Sequence, residues 1–398
     1  MAALQIYDPR ERAVVATADR VLSALRPILR LSRFDDGRAP RRILLLRLER
    51  IGDLMMALPA IASVRALAPD AEIDLVVGSW NRTLAEAIPH VTRVETLDAS
   101  WLARDSTSAG PGRLLRRALG WRRRRYDLGV NFEPDIRSNV LLALSGARRT
   151  AGFRSGGGGP LLDVTLEYDL RRHTTANAHR LVECALGRPA PDAKPELRLP
   201  DPAVHGARAL LPGPLRRPIV GVHASGGRPI KQWDPSRFGD VAARLVHETG
   251  ATIVLTGTTA DRLITNDVRA MVPANHVVDL SGQNDLPTLA AVLDSLDVLI
   301  TGDTGPMHLA AAVGTPVVAV FGPSDPVRYG PPGPADRVVR VDLPCSPCNR
   351  IRRPPERCTG HTPDCLAQVS AEQVYQAVRS SLAEAAAVRD RAAGRARP

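Results

Sequence analysis

The sequence predicts an α/β protein of two doubly wound domains. Short continuous apolar runs, the signature of buried parallel strands, alternate with segments of helical period, and this alternation restarts after a proline-rich stretch in mid-chain. With 398 residues the chain exceeds one ordinary core and suits two domains of roughly 150–200 residues each.

Composition narrows the class. Apolar residues at 44% and charged residues at 24% exclude disorder across the bulk of the chain. Aromatics at 4% are too few for a protein that stacks bases, so no nucleic-acid partner is expected. The net charge of +11 is carried mostly by arginine, which suits phosphate and carboxylate. Charge alone does not choose among nucleic acid, an anionic membrane face and a phosphorylated small molecule. No run of about 18 apolar residues marks a membrane span, and no apolar segment marks a secretory signal. The expected location is therefore cytoplasmic, with reduced cysteines.

Residues 1–40 read as an extension. A helix is expected from Asp8 to about Leu31, with Val14, Val15, Ala18, Val21, Leu22, Leu25 and Ile28 on one side and arginines interspersed. Pro27 would kink it or end it early. Such a helix either packs on the body or lies on a membrane surface. The first domain is drawn at 41–200. Ile43–Leu46 is a buried strand, Arg47–Asp53 a turn, and Ile51, Leu54, Met55, Leu58 and Ile61 follow helical spacing. Further strands are expected at Ile73–Val77, Arg93–Leu97 and Tyr126–Asn131. Ser106–Gly112 and Gly156–Pro160 read as loops. Seven arginines and no acid lie between 113 and 125. This is either a solvated basic face or a patch meeting the phosphates of an acceptor or a membrane.

Prolines between 189 and 218 predict a linker, drawn at 201–217. The second domain, 218–380, has expected strands at Ile219–His223, Ile253–Gly257, Val277–Leu280, Val298–Thr301 and Val317–Phe321. Its expected helices are Ser236–Thr249, Leu286–Leu296 and Pro306–Val313. The Ala/Arg-rich tail, 381–398, is expected to fray.

Three strand-to-helix junctions carry candidate chemistry, because ligands of parallel α/β sheets sit beyond the carboxyl ends of strands. Asp53 follows the first strand. It is either an N-cap or a general base for an acceptor hydroxyl. Gly302–His308 follows the strand at Val298 and opens a helix, so its backbone N–H groups and dipole suit a phosphate. In it Thr304, Gly305 and His308 are candidate binding residues, and Pro306 fits the first helical turn. The alternative is an ordinary turn, with His308 bracing the loop. This segment lacks the lysine and spacing of a Walker loop. The third junction, His223–Gly227, places Ser225 on a small-residue loop. A few residues on, Lys231 is either a solvent lysine or the counter-charge of a diphosphate leaving group.

A different motif is Cys345-x2-Cys348-x9-Cys358-x6-Cys365. Four thiolates in an irregular, proline-bearing stretch can hold a structural zinc or iron. Reduced free thiols and disulfides are the alternatives.

Together these pieces resemble glycosyltransferase family 9, the ADP-heptose:lipopolysaccharide heptosyltransferases, over about Arg41 to Ala377. The resemblance rests on ILLLRLERIGDLMMALPAI, KQWDPSRF and GDTGPMHLAAAVGTPVVAVFGPSDP, with CSPCNR and CTGHTPDCL similar to the cysteine-bearing tail of many members. It implies a GT-B fold, two Rossmann-like domains facing a central cleft. It also implies inverting transfer without a catalytic metal, from a nucleotide-sugar donor to an envelope glycolipid. Asp53 matches the general base and Lys231 the phosphate-binding lysine. Asp303, Thr304, Gly305 and His308 match the donor loop, and Asp261, beside Thr258 and Thr259, matches an acid that holds the ribose. Leu48-Glu49-Arg50 departs from the small residues common there. Peripheral contact with the anionic inner membrane is the expectation for the basic segment. A nucleotide-sugar epimerase of the same architecture and a non-catalytic nucleotide-binding scaffold are the rival readings.

Overall fold

A computed structural model describes residues 4–25, 39–102 and 110–395. Residues 26–31 of the expected first helix, residues 106–109 of the Ser/Gly/Pro loop and the last three residues of the tail lie outside the described residues. The chain divides into two compact units, Met1–Arg198 and Leu199–Pro398.

The first unit holds a sheet of six strands: β1 (Arg42–Arg47), β2 (Glu72–Val77), β3 (Arg93–Thr96), β4 (Leu128–Asn131), β5 (Arg149–Phe153) and β6 (Val164–Leu166). They are parallel and ordered β3-β2-β1-β4-β5-β6. Ile43 to Leu46 are fully buried, which is why β1 reads as an unbroken apolar run. The helix Ile51–Leu67 follows it, and 12 of its 17 residues are buried.

The second unit repeats the plan with β7 (Ile219–His223), β8 (Thr252–Leu255), β9 (Val277–Asp279), β10 (Val298–Gly302), β11 (Val317–Val320) and β12 (Arg337–Val339). Its order, β12-β11-β10-β7-β8-β9, is again parallel throughout. Both sheets thus have the doubly wound order of dinucleotide-binding folds, whose order reverses between the first and fourth strands. The fold is GT-B.

Three strands escaped the sequence reading: β5, β6 and β12. Each is short. β6 is only partly buried and β5 contains Gly152, so neither presents a clean apolar run.

Asp201–Leu210 is a helix, with Pro202 in its first turn and Ala203 and Ala207 buried. It packs on the helix Leu286–Asp294, with Gly206 facing Thr288. The stretch without helix or strand is 189–200. Ala371–Arg395 is one helix, anchored by buried Val374, Tyr375 and Val378 and continued by alanines, the strongest helix formers.

At the N-terminus the helix Pro9–Leu25 sits on the first unit through buried Val15 and through Asp19, which accepts the Gly158 N–H at 2.7 Å. The glycine run makes room for it. A Cβ on Gly157 would fall 2.2 Å from Val15, and Gly157 and Gly158 both have positive φ. Val14, Val21 and Leu25 of the same helix face outward. No helix among the described residues is long and apolar enough to cross a membrane.

Candidate functional site

In the second unit three neighbouring strands, β10, β7 and β8, deliver the predicted residues to one sheet edge. β7 ends at His223, and its exit loop is pinned by Gln232. The Gly226 N–H donates to Gln232 Oε1 at 2.7 Å, and Gln232 Nε2 donates to the carbonyls of Ala224 at 2.6 Å and Trp233 at 2.7 Å. A side chain at Gly226 would come within 2.7 Å of the Lys231 backbone, so glycine is what lets the two loops touch. Trp233 is buried, donates to the Val369 carbonyl at 3.1 Å and meets Phe238 edge-on at 4.7 Å. Asp234 caps the helix Pro235–Thr249 through the Ser236 N–H. The motif KQWDPSRF is therefore a mount for Lys231, whose Nζ lies 2.8 Å from Asp303 Oδ2.

Asp303 follows β10. Burial alone would raise its carboxyl. The charges of Lys231 and His308 and a hydrogen bond from Ser324 bring it below the usual carboxylate range instead. Thr304 caps the helix Gly305–Val313, its Oγ1 accepting the Met307 N–H at 3.4 Å and pairing with Thr301 at 3.1 Å. Gly305 is the first helical residue, and His308 is buried one turn further on.

Beyond β8, Asp261 Oδ2 accepts both the N–H and the hydroxyl of Thr258, each at 2.7 Å. Burial opposes its ionisation, but Thr258, Ser225 and His223 together hold it below the ordinary range. Ser225 thus joins the β7 loop to the β8 loop. His223 is buried against Thr256, with Nδ1 to Oγ1 at 3.1 Å. Burial drives its imidazole down to about 4, against the pull of Asp261. Ser225, Lys231, Asp261, Asp303, Thr304, Gly305 and His308 therefore stand together at this edge, which lies at the reversal of strand order.

In the first unit Asp53 is the third residue of the helix Ile51–Leu67 rather than its N-cap. Its Oδ2 accepts the Arg50 N–H at 3.2 Å, one arm of a capping box. Arg47, 3% exposed, closes the site from below. Its Nε donates to the Asp53 carbonyl at 2.9 Å. Its terminal nitrogens reach the Phe132 carbonyl at 2.9 Å, Glu49 at 2.8 Å and Asp53 Oδ1 at 3.5 Å. Glu133, beyond β4, is buried and accepts the Leu48 N–H. Burial pushes Glu133 up to about 7 despite Arg47 and that N–H. Burial, with the Asp53 charge beside it, holds Glu49 well above the carboxylate range despite Arg47. Three carboxyls thus surround one guanidinium. Arg47 and Glu133 were not singled out in the sequence. Their signal was positional, since both stand at the carboxyl ends of the central strands.

All four clustered cysteines carry free thiols, and Cys365 is buried. Its thiol is pushed up to about 11, first by burial and then by Cys348, Cys358 and Cys345. Among the described residues, no three of His, Cys, Asp or Glu are gathered closely enough to hold a metal ion. The cluster is a neighbourhood of thiols, not a formed metal centre.

Residues 113–358 match the model of glycosyltransferase family 9 (heptosyltransferase). Lipopolysaccharide heptosyltransferase 2 of Salmonella typhimurium is 25% identical over 317 residues, covering 75% of this chain and 88% of that protein. The structure of the Escherichia coli ADP-heptose lipopolysaccharide heptosyltransferase II superposes with a TM-score of 0.70 at 21% identity, over 86% of this chain and 99% of that one. A glycosyltransferase family 9 structure from Veillonella parvula gives 0.71 at 22% identity, over 86% and 97%.

The buried imidazole sets a pH dependence. His223 stays neutral in the folded chain down to about 4 but protonates near the ordinary imidazole value of 6.5 when unfolded. Between those values the unfolded chain binds more protons, so stability falls as pH falls through that window, by on the order of 3 kcal/mol. The lowered Asp261 carboxyl acts in the same direction, at lower pH. Thermal melts of His223→Asn, which keeps an amide for Thr256, should show a flatter profile between pH 6.5 and 4 than the native chain.

Proposed function

The chain belongs to glycosyltransferase family 9, and from that premise we propose that it moves a heptose from ADP-heptose to a hydroxyl of a lipopolysaccharide-type envelope glycolipid, with inversion at the anomeric carbon. The observation that carries this reading is the convergence of Ser225, Lys231, Asp261 and Asp303–Gly305 on the ends of three adjacent strands. The names of the relatives favour the heptose, the adenosine diphosphate and the lipopolysaccharide acceptor.

Each half of the reaction falls to one domain. The second, 218–380, takes the donor. Lys231 has three N–H donors, so it can keep Asp303 and still give a hydrogen to a diphosphate oxygen. Asp303 is then a positioning residue. The helix starting at Gly305 adds its dipole and amide end to the same phosphates, and His308 stands behind the loop. Asp261, already ionised and fixed by Thr258, accepts from the ribose hydroxyls.

The first domain, 41–200, takes the acceptor. Asp53 accepts the proton of the acceptor hydroxyl as its oxygen bonds to the anomeric carbon. The bond from that carbon to the diphosphate breaks, and ADP leaves carrying the electron pair. Negative charge grows on the leaving group, where Lys231 and the helix end meet it. Arg47 keeps the Asp53 carboxylate oriented. Work at the cytoplasmic face of the inner membrane, in peripheral contact with its anionic lipids, belongs to the same reading.

A structural zinc or iron at Cys345, Cys348, Cys358 and Cys365 is also part of it, resting on four free thiols in one irregular segment. A cation held by four thiolates would brace that segment. Metal analysis of the purified chain should find one equivalent, lost together with thermal stability in Cys365→Ser. A metal-free chain with unchanged melting in that variant removes the metal from the account.

Asp53→Asn keeps an oxygen for the Arg50 N–H but no base. Transfer should fall by about 10²–10⁴, with ADP affinity and melting temperature unchanged. Equal loss of ADP binding and stability would make Asp53 a helix cap alone.

A further inference from the structure

We propose that the outward face of the helix Pro111–Gly120, with the turn that follows it, docks on a membrane carrying phosphate-bearing anionic headgroups. Two of the seven arginines between 113 and 125 are ion-paired. Arg117 is ion-paired with Glu95 at 3.2 Å, and Arg124 with Asp74 at 3.2 Å and Glu72 at 3.4 Å, so these two tie the helix and turn to the sheet. The buried side of the segment, Leu114, Ala118 and Trp121, packs into the core with them. Arg113, Arg116 and Arg123 have no ion pair among the described residues.

Those free arginines frame exposed apolar surface. Leu115 is 45% exposed and Leu119 39%, one helical turn apart. Gly112, Arg116, Gly120 and Arg123 share their face, around an open hollow of about 470 Å³. A Cβ on Gly112 or Gly120 would meet nothing within 4 Å, so the backbone itself is open to an approaching surface. A purely solvated basic face has no use for two outward leucines. A helix lying in the headgroup layer has, since leucines enter the acyl boundary while arginines stay with the phosphates. A polyanion such as nucleic acid would engage the arginines but gain nothing from the leucines.

The test uses the full chain with no donor or acceptor present, so its outcome is separate from that of the transfer reading, on which only the choice of a membrane rests. Co-sedimentation is measured with vesicles of phosphatidylglycerol and phosphatidylcholine in equal parts, and with phosphatidylcholine alone. The native chain should pellet with the first only, less so at high salt. Arg113→Gln, Arg116→Gln and Arg123→Gln together should lower partition by on the order of 100-fold. Leu115→Ser with Leu119→Ser should lower it by about tenfold. A control triple on the other unit, Arg208→Gln, Arg269→Gln and Arg352→Gln, should leave it unchanged. Unaltered melting temperatures show that each variant folds. Equal loss in the control triple, or loss in the arginine set with none in the leucine pair, overturns membrane docking by this face. So does pelleting that ignores lipid charge.

Discussion

Parallel pairing of the first and fourth strands of each sheet is the constraint from which the sites follow. β1 with β4, and β7 with β10, lie side by side in register, yet the chain leaves each pair toward opposite sides of its sheet. The exit loops therefore part, and no crossing connection covers the positions just beyond the strand ends. Arg47, Asp53 and Glu133 stand there in the first unit. Ser225, Lys231 and Asp303 stand there in the second.

Both positions spend stability on charge. Arg47 is almost wholly buried with three carboxyls around it, and the Lys231–Asp303 pair is largely covered. Apolar side chains of similar volume would cost less in a sheet edge built only to fold. What these pairs provide is fixed orientation. Arg47 reaches the Asp53 carbonyl and carboxylate at once, which sets the angle of the carboxylate. Gln232, Trp233 and Asp234 do the same for the backbone that carries Lys231. Ser225 and Thr258 fix Asp261 in place of a charge partner.

How much of this was legible in the sequence follows from how local each signal is. The central strands were readable because burial on both faces leaves no polar position in them, as in Ile43–Leu46 and Val298–Ile300. Outer strands such as β6 and β12 are only partly buried, and their pattern fades. The helix Asp201–Leu210 was hidden by the prolines around it, although one of them starts it. The turn after β10 was readable because glycine, a capping threonine and proline in sequence announce a strand-to-helix turn. Arg47 and Glu133 were not, because they are 86 positions apart and meet only through the pairing of β1 with β4. The second role of Asp53, as the far arm of a capping box, depends on the Arg50 backbone and leaves no trace in residue type.

The central claim is that the strand ends of the second sheet hold the nucleoside diphosphate. Amide hydrogen exchange of the full chain with and without ADP tests it most directly. The account predicts slowed exchange at residues 224–231, 257–261 and 302–305, where the three exit loops gather. Slowing confined to the first unit, or found at none of these loops while ADP is bound, would contradict it.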